Sequence, residues 1–211
     1  MNLYTCYTDS HTELFNMMQS SLEKTNPSIN LIAEKFSQDC ETGDFMKPGW
    51  NKTMEKKMDL ILHSIKQDDV FIHSDADVYF FKPIEEKLLE ELGDFDIAFQ
   101  DDSISGLCCG FFVARSSSRL YSLWEDVKNH IDVYGNDQNA LNMLIRRHPI
   151  KFKMLPRTFF TFGHVGAGAW NNHEFEFDRQ LFVAHANWTV GVQNKINLLN
   201  YMRKKMGENV G

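Results

Sequence analysis

The sequence predicts an α/β protein: a three-layer sandwich with a mostly parallel central sheet flanked by helices. Short β-like runs alternate with amphipathic helical stretches along the whole chain, the order that builds βαβ units. The chain has 211 residues, the size of one domain. Its hydrophobic fraction of 43%, with 17 Phe, is enough to fill a core under both faces of a sheet.

Each element has a local signal. Residues 2–7 read as the first strand. Ser10-His11-Thr12-Glu13 has capping-box form and precedes Leu14, Phe15, Met18 and Leu22 on one helical face. A second strand is predicted at 30–36, and a loop at 37–50, which holds Gly43, Pro48 and Gly49. Met54, Met58, Ile61, Leu62 and Ile65 recur at helical spacing, and a buried strand follows at 69–73. Strands are predicted at 96–100 and 110–115. Leu120, Leu123, Trp124, Val127 and Ile131 mark a helix after the serines at 116–118. Asn136 caps a further helix carrying Ala140, Leu141, Leu144 and Ile145. Late strands fall at 151–155 and 180–186, and Val192, Ile196, Leu199 and Met202 form a closing helix. No internal repeat is evident.

Composition excludes several classes. Lys plus Arg number 22 against 29 Asp plus Glu, a net charge of −7, so the chain lacks the basic surplus of a general nucleic-acid binder. The longest apolar stretch, Leu107 to Ala114, falls far short of the roughly 20 residues that span a bilayer. The N-terminus shows no basic region followed by an apolar run, so no secretory signal is expected. Cys6, Cys40, Cys108 and Cys109 fit neither a zinc motif nor a disulfide framework; reduced, packed thiols and a cytoplasmic location are expected. The polar ending at 207–211 has no clear structural stop, so residues 1–211 are read as one domain that could be cut from a longer protein.

The most informative segment is Val70-Phe71-Ile72-His73-Ser74-Asp75-Ala76-Asp77 with Lys82-Pro83 behind it. An apolar strand runs into two acids two residues apart. In extended chain such residues share a face, which puts both carboxylates at the strand's carboxyl end, where α/β sheets bind ligands. Two like charges so close call for a cation, and hard oxygen ligands suit magnesium or manganese bridging to phosphate oxygens. A bare D-x-D is common by chance, and a solvated pair in a turn is its ordinary explanation. His185 ends a strand-like run, where a third ligand can converge, although a lone His is more often a hydrogen-bonded structural residue.

With these motifs in their order, the chain resembles the GT-A nucleotide-sugar glycosyltransferases over most of its length. The resemblance rests on 50–57, the Asp75-Ala76-Asp77 strand end, Gly110-Phe111-Phe112, the segment from Asp137 to Asn142, and His185-Ala186-Asn187. Within that superfamily it looks most like small viral and bacterial transferases, the capsid-glycan transferases of large algal viruses among them. The resemblance implies a GT-A, Rossmann-like sandwich with manganese (magnesium as the second choice) on Asp77 and His185. Asp75 would contact the donor ribose or reach the metal through water. It also implies a nucleotide-sugar donor, with uridine diphosphate as carrier, and a glycan or protein-linked acceptor. Asp137 would bind sugar hydroxyls with Gln138 beside the anomeric carbon. Asp101 or Asp102 would hold the sugar or the acceptor. Lys57, with Lys56 as its neighbour, would face the donor, and Lys195 would reach a phosphate. Thr5, Tyr7 and Asp9 would line the base site, Tyr7 stacking on uracil. The small-residue run at 163–170 would cover the sugar or the acceptor side.

Each of these residues also has a plain structural explanation: capping and dipole complementarity for Asn136 and Asp137, loop solvation for Asp101 and Asp102, a solvated helix face for the lysines. The Asp137-Gln138 arrangement resembles retaining members, and no isolated carboxylate demands the role of an inverting base. Two other readings share the paired acids. One is a haloacid-dehalogenase-type magnesium phosphohydrolase, whose first Asp attacks phosphorus, although Val78-Tyr79-Phe80 stands where its usual Thr would be. The other is a nucleotide- or glycan-binding module without turnover.

Overall fold

The structure is a computed structural model and describes residues 1–103, 105–166 and 168–210. Nine strands and seven α-helices follow in the order β1 (Asn2–Tyr7), α1 (Thr12–Thr25), β2 (Asn30–Lys35), α2 (Trp50–Gln67), β3 (Val70–Ser74), β4 (Val78–Phe80), α3 (Glu85–Leu92), β5 (Ile97–Asp101), β6 (Leu107–Arg115), α4 (Ser118–Asn129), α5 (Ile131–Tyr134), α6 (Asp137–Leu144), β7 (Phe152–Met154), β8 (Phe159–Thr161), β9 (Val183–His185) and α7 (Val192–Lys205), counted among the described residues. The main sheet has the order β2-β1-β3-β6-β5-β7, and a small sheet has the order β4-β9-β8.

The main sheet is parallel except for β6, which runs antiparallel to both β3 and β5. Side chains alternate across it with period two. On β6, Phe112 and Ala114 pack with Met58, Trp124 and Leu141 from α2, α4 and α6. Phe111 and Val113 pack on the other face with Met18 and Leu88 from α1 and α3. Helices cover both faces, which is why this strand reads in sequence as one unbroken apolar run. A third cluster joins α7 to the small sheet and to the aromatics Phe162, Trp170 and Phe175. Among the described residues no helix is long and apolar enough to cross a membrane.

The expected α/β architecture is present, with local differences. Ser10 and Glu13 form no capping box. A 3-10 turn at Asp9–His11 leads into α1, and the Ser10 hydroxyl bonds His11 Nδ1 at 2.9 Å instead. Three elements lacked a strong enough pattern to be predicted: β4, α3 and β8. Two are three-residue strands, too short to show an alternation, and α3 is only eight residues, half of them Glu. The Asp75-Ala76-Asp77 segment is a turn between β3 and β4 rather than an extension of the strand. Its two carboxylates therefore meet different partners. Of the small-residue run at 163–170, Ala167 lies outside the described residues, as does Gly211 of the C-terminal stretch.

Candidate active site

The carboxyl ends of β1 and β3 open into a cleft of about 590 Å³. Its wall includes Lys57 from α2, Asp75 and Asp77, Asp137 and Gln138 from the start of α6, His185 from the end of β9 and Lys195 from α7. Residues from distant parts of the sequence converge here because the strand ends and helix starts share one edge of the sheet.

Asp77 reaches His185 through strand pairing. β4 and β9 pair antiparallel with Val78 opposite His185, and the Ala186 N–H donates to the Asp77 carbonyl at 3.0 Å. The His185 Nε2 then lies 3.2 Å from Asp77 Oδ1. On the other side of the ring, Nδ1–H donates to Gln100 Oε1 at 3.0 Å, and the Gln100 amide donates to the carbonyls of Phe159 and Phe160 at 3.2 and 2.8 Å. That second contact orients the imidazole with Nε2 toward the cleft. Gln100 gains this aim from an irregularity in the sheet. The pairing of β5 with β6 jumps from Phe99–Phe112 to Gln100–Cys108, and irregularities of this kind re-aim side chains.

Ligand atoms of Asp75, Asp77 and His185 all lie within 4.8 Å of one another. The space they face depends on Gly110. A Cβ there would stand 2.3 Å from His185 Cε1 and 2.6 Å from Asp75 Oδ2. Five aspartates line the cleft against two lysines, so acidic charge is in excess before any phosphate enters. Two carboxylates and one imidazole, oriented from behind in a net-acidic wall, fit a divalent cation.

Ion pairs hold the groups in their charged forms. Lys57 is buried, with its ammonium 2.8 Å from Asp75 Oδ1 and 3.1 Å from Asp137 Oδ2. Burial pushes this ammonium down, but Asp137 and Asp75 outweigh it and hold its pKa well above the ordinary lysine value. Burial pushes Asp75 up, and Lys57 with His73 reverses that, leaving it below the usual carboxylate range. Asp77 is likewise raised by burial and carried well below its usual value by Lys195, which it contacts directly, and by His185. Burial lowers His185, and Asp77 returns it well above an ordinary histidine. His73, fully buried and stacked on Phe112, is pushed down by burial.

The Asn136 side chain caps α6 by accepting from the Asn139 N–H at 2.7 Å, which sets Asp137 and Gln138 on the first turn, facing the cleft. The Gln138 amide donates to Asp102 Oδ2 at 2.7 Å, and its carbonyl oxygen accepts from the Cys109 N–H at 3.3 Å. Lys57, not Lys56, faces the cleft; Lys56 pairs with Asp39.

Of four expected site residues, three lie off the cleft wall and Tyr7 lies on it. Thr5 is buried within β1 and is not part of the cleft wall. Asp9 is exposed and pairs with Lys35 at 2.6 Å. Tyr7 borders the cleft, but one face of its ring is stacked on Phe15, with centroids 4.0 Å apart. Asp101 also lies off the wall. Its carboxylate accepts from the Ser103 N–H and stands 3.6 Å from His164. Sequence reasoning missed Gln100, His11, Ser105 and Trp188. Three of them have no local signal. Trp188 stands three residues after His185, next to the Asn187 that the resemblance already included.

A family model described as nucleotide-diphospho-sugar transferase matches residues 16–199. No curated protein matches the chain in sequence. Among solved structures it is similar to a glycosyltransferase involved in glycosylation of the major capsid of PBCV-1 (TM-score 0.65, 10% identity, 94% of this chain and 98% of that one). It is similar to the galactosyltransferase LgtC, solved with donor and acceptor sugar analogs (0.57, 11%, 89% and 87%). It is also similar to the glycosyltransferase GlyE of Streptococcus pneumoniae TIGR4 (0.60, 14%, 95% of this chain), of which it spans 59%. At such identities these likenesses establish the fold, that of GT-A glycosyltransferases. Neither the phosphohydrolase nor the binding-module alternative is favoured. With the family model covering most of its length, the chain belongs to the nucleotide-diphospho-sugar transferase family.

Proposed function

We propose that the chain, acting as one domain, transfers a sugar from a uridine-diphosphate donor to a carbohydrate or protein-linked acceptor, with a divalent cation and with retention. The observation that carries this reading is the Asp75, Asp77 and His185 cluster, gathered in one cleft with Lys57, Lys195 and the first turn of α6. These three residues would hold manganese, with magnesium as the weaker choice because it favours all-oxygen octahedra. Bound there, the cation supplies Lewis-acid stabilisation of charge on the departing diphosphate, worth several kcal/mol.

The remaining work falls to side chains. Lys195 rests on Asp77 and is within reach of a phosphate oxygen once that carboxylate is otherwise engaged. Lys57 fixes Asp137, which takes sugar hydroxyls, while Gln138 stands beside the anomeric carbon. Support for retention comes from the state of the acids. Asp75, Asp77 and Asp137 are in ion pairs and Asp102 is filled by donors, while the fifth lining acid, Asp44, lies by His11 in the loop before α2. With no free carboxylate beside Gln138 among the described residues, the departing diphosphate takes the acceptor proton. All four cysteines are free, which supports a reducing, cytoplasmic setting. The likeness to a transferase acting on a viral capsid supports a protein-linked glycan among the acceptors.

The test is titration of uridine diphosphate with and without manganese. Binding is expected only with the cation and is lost in Asp77→Ala; tight cation-independent binding would overturn the reading. Hydrolysis of a donor panel, with the anomer of the released sugar determined by NMR, then identifies the sugar and the stereochemistry.

A further inference from the structure

We propose that Trp188 is the platform on which the acceptor sugar lies, and that Asp102 is the positioning residue that holds it beside Gln138. This inference rests on the transferase reading above.

Trp188 borders the cleft with 37% of its surface exposed. Its φ is +52°, in the left-handed region that bulky side chains rarely occupy. Strain of that kind persists where the surroundings over-determine it, and it collects at ligand sites. Here both ends of the residue are fixed. Its carbonyl accepts from the Trp170 N–H at 2.8 Å, and its indole Nε1–H donates to Asp102 Oδ1 at 2.9 Å. The edge of the ring is thus bonded while part of its surface stays in contact with solvent.

Asp102 is fully buried and accepts four donors. The Asn187 amide and the Trp188 indole share Oδ1, and the Ser105 hydroxyl and the Gln138 amide share Oδ2. A carboxylate has about four lone-pair sites, so none is left for a sugar hydroxyl. That makes Asp102 a positioning group rather than one that itself holds the sugar or the acceptor. Through it, the Trp188 ring and the Gln138 amide keep a fixed spacing.

The order of contacts separates two subsites. Asp75, Lys57 and Asp137 form a charged, hydroxyl-binding end suited to the donor. From Asp137 the path runs to Gln138, then Asp102, then Trp188, beside Val190, which is 58% exposed. A pyranose has an apolar C–H face and a polar rim. An indole with an open apolar surface and a bonded N–H matches it, and its separation from the charged end through Gln138 and Asp102 assigns that sugar as the acceptor. The ligand class is a pyranoside with an exposed C–H face.

The experiment measures binding of methyl α- and β-glycosides of glucose, galactose, mannose, xylose, fucose and rhamnose to protein loaded with uridine diphosphate and manganese. Trp188 emission is read as the difference between wild type and Trp188→Phe. At least one glycoside is expected to quench it. Trp188→Ala should weaken that glycoside about tenfold, equivalent to about 1.4 kcal/mol, and uridine diphosphate at least fivefold less. Trp188→Phe, which keeps a ring but loses the N–H that Asp102 holds, should fall between wild type and Trp188→Ala. Asp102→Ala, which removes the acceptor of the indole N–H and leaves the ring, should weaken the glycoside about as much as Trp188→Phe does, with melting curves confirming that it folds. Equal losses for glycoside and nucleotide would place the ring over the donor and overturn the proposal. So would silence from every glycoside in a protein that binds uridine diphosphate with manganese. Failure of that nucleotide to bind wild type would instead sink the transferase reading itself.

Discussion

Gly110→Ala adds one methyl group at the point where the three-residue cluster meets β6. Gly110 has no left-handed φ, so the backbone accepts alanine, and the effect is one of space alone. The new Cβ would sit 2.3 Å from His185 Cε1, 2.6 Å from Asp75 Oδ2 and 3.0 Å from His185 Nε2, where ordinary contact begins at 3.4 Å. Neither neighbour can yield freely. The imidazole is tied to Gln100 and Asp77, and Gln100 to two carbonyls of the small-sheet edge. Nor can the backbone retreat without cost, because the Gly110 carbonyl accepts the Asp75 N–H at 2.6 Å and would drag that residue with it. Overpacking of this kind costs about 1–3 kcal/mol. At roughly 2–4 °C per kcal/mol for a chain of this size, the melting temperature should fall by several degrees. Disturbing the groups that orient metal ligands costs about 10- to 100-fold in metal affinity. Calorimetric titration of manganese in the presence of uridine diphosphate should therefore show a loss of that size in a protein that still folds. Affinity within threefold of wild type would refute the reasoning, because the cation could not then depend on ligands that this methyl group displaces.

Two further predictions concern charge. Lys57→Met leaves the Asp75 and Asp137 carboxylates without their shared partner, and breaking a buried pair costs about 3–5 kcal/mol in urea unfolding. Adding Asp137→Asn should recover part of it, and a loss below about 1 kcal/mol would show that water already solvates these carboxylates. The second is a pH dependence. In the cation-free protein Asp77 lies well below its usual pKa, so its contribution is present above the unfolded carboxylate value and is lost as pH falls through the folded one. His185 lies well above its usual pKa, so its contribution is full below the unfolded histidine value and disappears as pH rises through the folded one. A cation needs the neutral imidazole, so manganese affinity should rise by up to about tenfold per pH unit until His185 has lost its proton. A flat affinity between about pH 6 and 9 would remove His185 from the ligand set.

The legible and illegible parts of the molecule divide by range. Asn136 showed itself as a cap because capping is a three-residue affair, and the strand at 2–7 and the closing helix at 192–205 showed because their periods are local. The capping box at Ser10 was misread because His11 and Gln38, one of them 28 residues away, take the groups it needs. Tyr7 was expected at the base site and does line the cleft, but only the structure shows that Phe15 on the next helix covers one face of its ring. Asp9 sits at the right strand end and still turns to Lys35 on the neighbouring strand.

By itself the sequence determined the alternation of strand and helix, the apolar faces that make a covered sheet, and the acidic pair at one strand's end, since each of these depends on residues a few positions apart. The tertiary structure decided which way β6 runs, and that His185 meets Asp77 across a pairing between two three-residue strands. It also decided that Asp102 gathers donors from three separate segments. Those contacts exist only after chain closure over tens to more than a hundred residues, where the energy lies in complementary surfaces and not in any local preference that a sequence can display.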